Sequence, residues 1–230
     1  MIPVKGGIIA AGHGTRFKDK GVDTHKALLH VAGKPLLGWA VSQFLDAGIS
    51  DVTIIFNEDN AEPCIRFLQE NYPLFKIDTI VKTTASSFES FCRVTRKIGV
   101  GPCIVTTIDS IYQPGKFRDF LLRSQNRPPG TMTLGVTSFI DDEKPLYATM
   151  DSDNAITALG EGKSPFVTNG VYWMPTIAPQ KLDKFSALRH FLKSLVEEGT
   201  PAYGFDMGKS IDIDHPKDIE TAESFISGFL

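Results

Sequence analysis

One stretch limits what this chain can fold into more than any other. It reads Gly7-Ile8-Ile9-Ala10-Ala11-Gly12-His13-Gly14-Thr15-Arg16-Phe17, with Lys26 nine residues further on. Ile8 and Ile9 close a short apolar run, as a buried strand does. Gly12 and Gly14 then leave the backbone bare. A glycine amide can approach an anion closely and take φ > 0, because no Cβ stands in the way. Thr15 adds a hydroxyl donor, while Arg16 and Lys26 add a planar fork and a point charge. Amides, fork and ammonium together suit a chain of phosphates. A glycine-rich turn after a strand also serves purely structural ends, so the weight rests on the whole stretch and its continuation.

The spacing excludes two commoner glycine motifs. A dinucleotide-binding turn needs G-x-G-x-x-G, and Phe17 stands where the third glycine belongs. A P-loop needs G-x-x-x-x-G-K-[ST], which the chain lacks. What it does have is A-A-G-x-G-T-R-F, a separated lysine, and the continuation His25-Lys26-Ala27-Leu28-Leu29 and Ala32-Gly33-Lys34-Pro35-Leu36-Leu37. This resembles the nucleotidyltransferases that make sugar nucleotides and related activated alcohols. Their second segment reads P-K-P-L-L-x-V-x-G-K-P-L-L. Here Thr24-His25 replaces the residue–proline pair before the lysine. That Thr-His-Lys version is similar to the bacterial phosphocholine cytidylyltransferases. A molybdopterin-type transferase ranks behind both, because its loop between glycines and lysine is shorter. The likeness covers essentially the whole chain, and is specific at 7–37, moderate at 209–219 and loose between.

Composition narrows the setting. A chain of 230 residues buries most of its apolar surface without staples. A net charge of −3 speaks against a nucleic-acid binder that works by a bulk basic field, so phosphates must meet local cations. Cys64, Cys92 and Cys103 are widely spaced and odd in number, which gives neither a zinc pattern nor a disulfide framework. They read as reduced, buried thiols. No apolar run approaches the ~18–20 residues of a membrane span, and nothing after Lys5 resembles a signal peptide. A cytoplasmic protein without a membrane partner is expected.

Apolar runs predict strands over 4–10, 52–56, 77–81 and 103–108. Helical periodicity falls between them, over 35–47, 61–71 and 87–98. That alternation predicts a mostly parallel sheet with helices on both faces. Beyond Asp109 the pattern predicts helices over 116–123, 185–198 and 215–229. It also predicts strands over 131–137, 167–174, 202–206 and 210–213, and a hairpin of 146–150 with 155–159 turned at Asp151-Ser152-Asp153-Asn154. The resemblance implies an α/β fold: a single-domain, Rossmann-like three-layer sandwich of the nucleotide-diphospho-sugar transferase, GT-A-like type. It would span 1–230, with a nucleotide-binding half at 1–125 and an acceptor-binding half at 126–230. Ligands of open α/β sheets lie beyond the carboxyl ends of the strands. The loops after Ala10, Val81, Ile108 and Ile213 should therefore share one cleft.

Two acidic positions stand out. Asp109 follows the apolar run 103–108, as a metal ligand or catalytic base or equally as a turn cap, which Ser110 and Pro114 make plausible. Asp212 and Asp214 alternate with Ile211 and Ile213, so both carboxylates share one strand face. Asp214 equally suits the N-cap of the closing helix, with Pro216 in its first turn. The resemblance implies Mg²⁺ held by Asp109 and a second acidic residue. That residue is Asp212 in one alignment. It is Asp214 when the chain is set against the Asp-Thr-Pro-Glu-Asp pattern of sialic- and ulosonic-acid cytidylyltransferases.

The same resemblance implies Arg16 on the departing pyrophosphate and Lys26 on the α-phosphate. Ala10, Ala11, Gly12, His13, Gly14, Thr15 and Thr84 would surround the nucleotide. Thr83 stands where relatives carry a glycine, which leaves the base open. Asn169-Gly170-Val171-Tyr172 resembles the strand that borders the sugar-phosphate pocket. Asn169 would bind an acceptor hydroxyl, unless Gly170 simply marks a β-bulge. Lys163 would neutralise the acceptor phosphate, or sit solvated in its loop. Neither His13 nor His25 is given a proton-transfer role, since an attacking phosphate is already a nucleophile.

The implied reaction is attack of a phosphomonoester, foremost a sugar 1-phosphate, on the α-phosphorus of a nucleoside triphosphate, with release of pyrophosphate. The alternative is a phosphocholine-like cytidylyltransferase, whose quaternary ammonium would need an aromatic and acidic pocket from Tyr147, Tyr172, Trp173, Asp141 and Asp142. A third reading, a non-catalytic nucleotide-binding regulator, sits poorly with intact Arg16, Lys26 and Asp109. Self-association is left open.

Overall fold

A computed structural model describes residues 4–12, 14, 17, 19–21, 24–140, 144–160, 162–176 and 184–229. His13, Thr15, Arg16, Asp141 and Asp142 lie outside the described residues. The first half runs β1 (Lys5–Ala10), a 3₁₀ turn (Lys26–Leu28), β2 (His30–Val31), β3 (Lys34–Pro35), α1 (Leu36–Asp46), β4 (Asp51–Phe56), α2 (Ala61–Asn71), β5 (Lys76–Val81), α3 (Ser87–Ile98) and β6 (Cys103–Thr107). Then follow β7 (Ser110–Tyr112), α4 (Lys116–Gln125), β8 (Met132–Thr137), β9 (Tyr147–Met150), β10 (Ile156–Gly160) and β11 (Val167–Met174). The chain closes with α5 (Leu188–Glu197), β12 (Ala202–Asp206), β13 (Ser210–Asp212) and α6 (Pro216–Ser227).

Among the described residues nine strands make the main sheet, in the order β10-β9-β11-β6-β1-β4-β5, with β8 beside β11 and β12 beside β8. Strands β5, β4, β1 and β6 are parallel neighbours, and β12 is parallel to β8. Antiparallel pairing enters where β11 joins β6, Val171 opposite Thr106. One sheet therefore runs through both halves of the chain.

The alternation of side chains along the central strands builds three layers. Ile9, Ile55 and Val105 face Phe91, Val94 and Ile98 of α3 and Phe191, Leu192 and Leu195 of α5. Ile8, Ala10, Ile54, Phe56 and Ile104 face the other way, onto Val41 and Phe44 of α1, Cys64 and Leu68 of α2, and Phe120 of α4. All three cysteines are buried and none is in a disulfide among the described residues. Burial pushes the Cys64 and Cys103 thiols up to about 12, so they are inert packing groups. Among the described residues no helix is long and apolar enough to cross a membrane.

Several boundaries differ from the sequence pattern by a few residues, and two of them have a visible cause. Pro35 stands just ahead of α1, because Lys34 and Pro35 pair with Val31 and His30 in a two-residue ladder. Helix α5 begins at Leu188, with Ala187 extended ahead of it. Phe185 stays outside the helix yet still packs edge-on against Phe88 and Phe191.

A third apolar cluster lies apart from the two sheet faces. Phe17, Leu29, Val31, Leu36, Ile111, Ile211, Ile213, Ala222 and Ile226 pack together. It fastens α6 and the β7–β13 ladder to the turn after the glycine loop. Ile213 has no exposed surface and sits between Asp212 and Asp214. Ile213→Ala should lower stability by about 2–5 kcal/mol, the usual cost of such a buried truncation. Denaturant unfolding of the variant beside the parent chain measures it.

Candidate active site

The glycine loop begins where β1 leaves the sheet. Ala10 and Ala11 are still buried, and Gly12 faces open space. Gly14 has φ +60, and a Cβ there would press on the Lys26 stem at 3.3 Å. The Gly14 carbonyl accepts from the Phe17 amide at 3.0 Å, and the Phe17 ring is buried in the third cluster. Asn57, fully buried just past β4, donates its side-chain amide to the Gly12 carbonyl at 3.1 Å. The sequence reading missed this support. Its only signal was a polar residue directly after an apolar strand.

Lys26 lies beside this loop at the start of the 3₁₀ turn. Its Nζ donates to Asp109 Oδ2 at 2.7 Å and to Asp214 Oδ1 at 2.9 Å, with 13% of the lysine side chain exposed. Burial alone would lower the Lys26 pKa. The two carboxylates outweigh it and hold the ammonium above the ordinary lysine value. Burial likewise opposes the charge on Asp109, and Lys26 overrides it, keeping that carboxyl below its usual value.

Register explains how residues a hundred positions apart meet. Strands β7 and β13 pair antiparallel with Asp212 opposite Ser110. The Ser110 hydroxyl donates to Asp212 Oδ1 at 2.6 Å, and the Ile213 amide donates to the Asp109 carbonyl at 3.0 Å. Asp212 opens onto the cleft on one side and is packed by protein on the others. That packing, with the like charge of Asp109 nearby, raises its pKa to about 7.

The N-cap expected of Asp214 belongs instead to His215. Asp218 accepts the Asp214 and His215 amides at 2.9 and 2.6 Å, closing the helix start from its third position. With the helix satisfied from within, the Asp214 carboxylate turns to Lys26. Asp109, Asp212 and Asp214 are thus all brought to one place. No group of three His, Cys, Asp or Glu side chains among the described residues is set as a metal cage, and Lys26 stands between two of these carboxylates.

Two cavities flank this junction, and Asp109, Asp214, Thr107 and Ser87 border both. The smaller, about 350 Å³, runs from Ala10, Ala11, Gly12 and Gly14 past Lys26 to Thr84 and the start of α3. The Thr84 hydroxyl shares a hydrogen bond with Ser90 at 2.7 Å. Ser86 is taken up by the helix, accepting the Glu89 amide at 3.2 Å. The larger cavity, about 440 Å³, is bordered by Thr137, Thr168, Asn169, Tyr172, Arg189, Asp212 and Lys217.

Asn169 is 3% exposed, and both polar atoms of its side chain lack a hydrogen-bond partner. Its carbonyl accepts from the Tyr112 hydroxyl at 3.0 Å. The bulge is real as well: the β8–β11 register shifts between Thr168 and Tyr172. Gly170 has φ +84, and a Cβ would lie 2.6 Å from the Thr107 hydroxyl, so only glycine fits.

Two expectations need correction. Lys163 does not reach this cleft; the loop after β10 carries it to a separate depression with Tyr147, Lys193 and Glu197. Nor do the aromatic residues gather into a cage. Tyr172 borders the larger cavity, Trp173 is buried in the opposite core layer and Tyr147 borders the Lys163 depression.

The profile of the MobA-like NTP transferase domain matches residues 6–190. The bifunctional protein GlmU of Maricaulis maris is 44% identical over 59 residues, 26% of this chain and 12% of that protein. The N-acetylmuramate alpha-1-phosphate uridylyltransferase of Neisseria meningitidis is 43% identical over 51 residues, 22% of each. The matched stretches thus span well under a third of these curated relatives. Solved structures agree over nearly the whole length. The inositol-1-phosphate CTP transferase from T. maritima gives a TM-score of 0.79 at 18% identity, covering 99% of this chain and 97% of that one. A putative glucose-1-phosphate thymidylyltransferase from Bacillus anthracis gives 0.83 at 19%, covering 96% and 94%. At such identities the agreement establishes the fold.

The Lys26 pairing makes a stability prediction. Asp109 is held below its ordinary pKa, so its share of stability is present above about pH 4 and is lost as pH falls. Lys26 is held above its own, so its share persists up to about pH 10 and is lost only in alkali. Lys26→Met leaves clustered carboxylates without their cation. It should cost about 3 kcal/mol at pH 7, at the low end for a broken buried pair because the carboxylates touch water. The deficit should narrow toward about pH 5, where protonation relieves the repulsion. Urea unfolding of both proteins at the two pH values tests it.

Proposed function

Because the chain belongs to the family of MobA-like NTP transferase domains, we propose that it transfers the nucleotidyl group of a nucleoside triphosphate to a phosphorylated acceptor, releasing pyrophosphate. The carrying observation is the pair of cavities that meet at Asp109 and Asp214, with Lys26 at the meeting point. The smaller takes the nucleotide along the glycine loop. The larger takes the acceptor, foremost a sugar 1-phosphate, with Asn169 among the residues that border it. In this reading 1–230 forms one domain, 1–125 holding the nucleotide and 126–230 the acceptor, in a cytoplasmic setting.

Phosphoryl chemistry asks a protein for alignment and charge compensation more than for covalent help. Lys26 faces the α-phosphate once a phosphate oxygen competes for its ammonium. Arg16 takes the leaving pyrophosphate. No general base is required, since the acceptor phosphate is already ionised.

A divalent cation fits this junction. Asp109, Asp212 and Asp214 are hard oxygen donors, and Mg²⁺ favours one or two carboxylates plus phosphate oxygens. Three carboxylates gather there, two of them bonded to Lys26. Asp109 and Asp212 would hold the ion, with Asp214 able to join once Lys26 moves. When bound, the ion supplies charge neutralisation across the phosphates.

Pyrophosphate release should appear when a panel of triphosphates is offered with glucose 1-phosphate, inositol 1-phosphate and phosphocholine. Turnover is expected with a sugar or cyclitol phosphate. Release with phosphocholine alone would move the assignment to that class, and release with no pair would remove the transferase reading. Asp109→Asn should cut kcat by about a hundredfold or more. Undiminished turnover in excess chelator would remove the metal.

A further inference from the structure

Resting on the transferase reading, we infer that Lys217, at the start of α6, holds the phosphate of the acceptor. An incoming phosphomonoester carries about two negative charges near neutrality. Its destination, the junction, is lined by Asp109, Asp212 and Asp214, and Lys26 is already engaged by two of them. The acceptor phosphate therefore needs a cation of its own. Lys163, the residue expected for this task, lies in another depression.

Among the described residues, two permanently cationic side chains border the larger cavity, Arg189 and Lys217. Arg189 lies on α5, and its guanidinium donates to the Lys144 carbonyl at 2.8 Å. Lys217 follows Asp214 by three residues, and Asp214 marks the junction itself through its bond to Lys26. Lys217 is exposed at the start of the helix and borders the same cavity as Asp109, Asp212 and Asp214, which makes it the cation assigned to the attacking phosphate. The helix behind it runs twelve residues and turns its positive end the same way. Asp218 shares this helix start, but its carboxylate is engaged by two backbone amides.

A second observation points independently to a ligand here. Asn169 borders the same cavity, buried, with neither side-chain polar atom partnered. A buried amide left open is costly unless something comes to meet it. Asn169 and Lys217 both border this cavity, so it offers a phosphorylated polyol a polar residue for its hydroxyls and an ammonium for its phosphate.

The experiment is steady-state kinetics on Lys217→Ala and Lys217→Arg, with the best acceptor of the panel and with inorganic phosphate as competitor. A lost charge-assisted contact should raise the acceptor KM about tenfold or more in Lys217→Ala. The triphosphate KM should stay unchanged, and Lys217→Arg should recover most of the loss. Inhibition by inorganic phosphate against the acceptor should weaken in parallel. An unchanged acceptor KM overturns the inference, as does an equal loss for both substrates. A loss found in Arg189→Ala instead assigns the phosphate to the other cation. If parent enzyme shows no turnover with any pair, the transferase reading falls and this inference with it. If turnover is present and Lys217→Ala leaves the acceptor KM alone, only this inference falls.

Discussion

One ammonium between two carboxylates ties the site together. Lys26 arrives from the turn after the glycine loop, Asp109 from the corner between β6 and β7, and Asp214 from the corner between β13 and α6. None of these corners is held by regular hydrogen-bonded structure alone. Each charge would be expensive to bury singly, and the desolvation of the group is repaid only when the geometry is good. At 2.7 and 2.9 Å it is good. The pairing therefore selects a mutual position for three loops as well as stabilising them.

The third apolar cluster makes that position reachable. Phe17 anchors the far side of the glycine loop, while Ile211 and Ile213 point into the same packing from β13 and just beyond it. Because side chains alternate along an extended segment, burying the isoleucines turns Asp212 and Asp214 outward to the cleft. Asp218 then completes the helix start, which releases Asp214 from capping. A carboxylate occupied by its own helix's amides could not also reach Lys26. Capping and charge pairing are divided between residues four apart.

Much of this was legible in the sequence, and the boundary of what was not has a physical cause. Helices over 61–71 and 87–98 and strands over 167–174 and 202–206 have the limits their periodicity predicts. Those signals are local. The nearness of Asp109 to Asp212 and Asp214 was foreseen from the residues as loops around one cleft and from the resemblance as a shared metal site; the β7–β13 register that fixes it joins residues a hundred positions apart. Lys163 misled because a charge in a loop carries no sign of direction. Asn57 escaped notice because one polar residue after an apolar strand has no period to betray it. Asp214 was ambiguous for a related reason: a cap and a cleft ligand look alike until Asp218 is seen to close the helix.

The distribution of charge bears on chemistry more directly than the fold does. A cleft read as a site for phosphates has three carboxylates at its centre, and among the described residues Lys26 bonds to two of them. Asp212 shows the strain of that arrangement, its pKa raised to about 7 by packing and by Asp109. An anionic substrate approaching such a centre meets repulsion unless positive charge arrives with it or stands at the rim. The chain as a whole, at −3, offers no general attraction. On the proposed reading that charge would come from a divalent ion at the carboxylates, from the glycine-loop amides and Arg16, and from Lys217 on the acceptor side. The acidic centre then discriminates, since a phosphate meeting only some of these cations faces the carboxylates uncompensated.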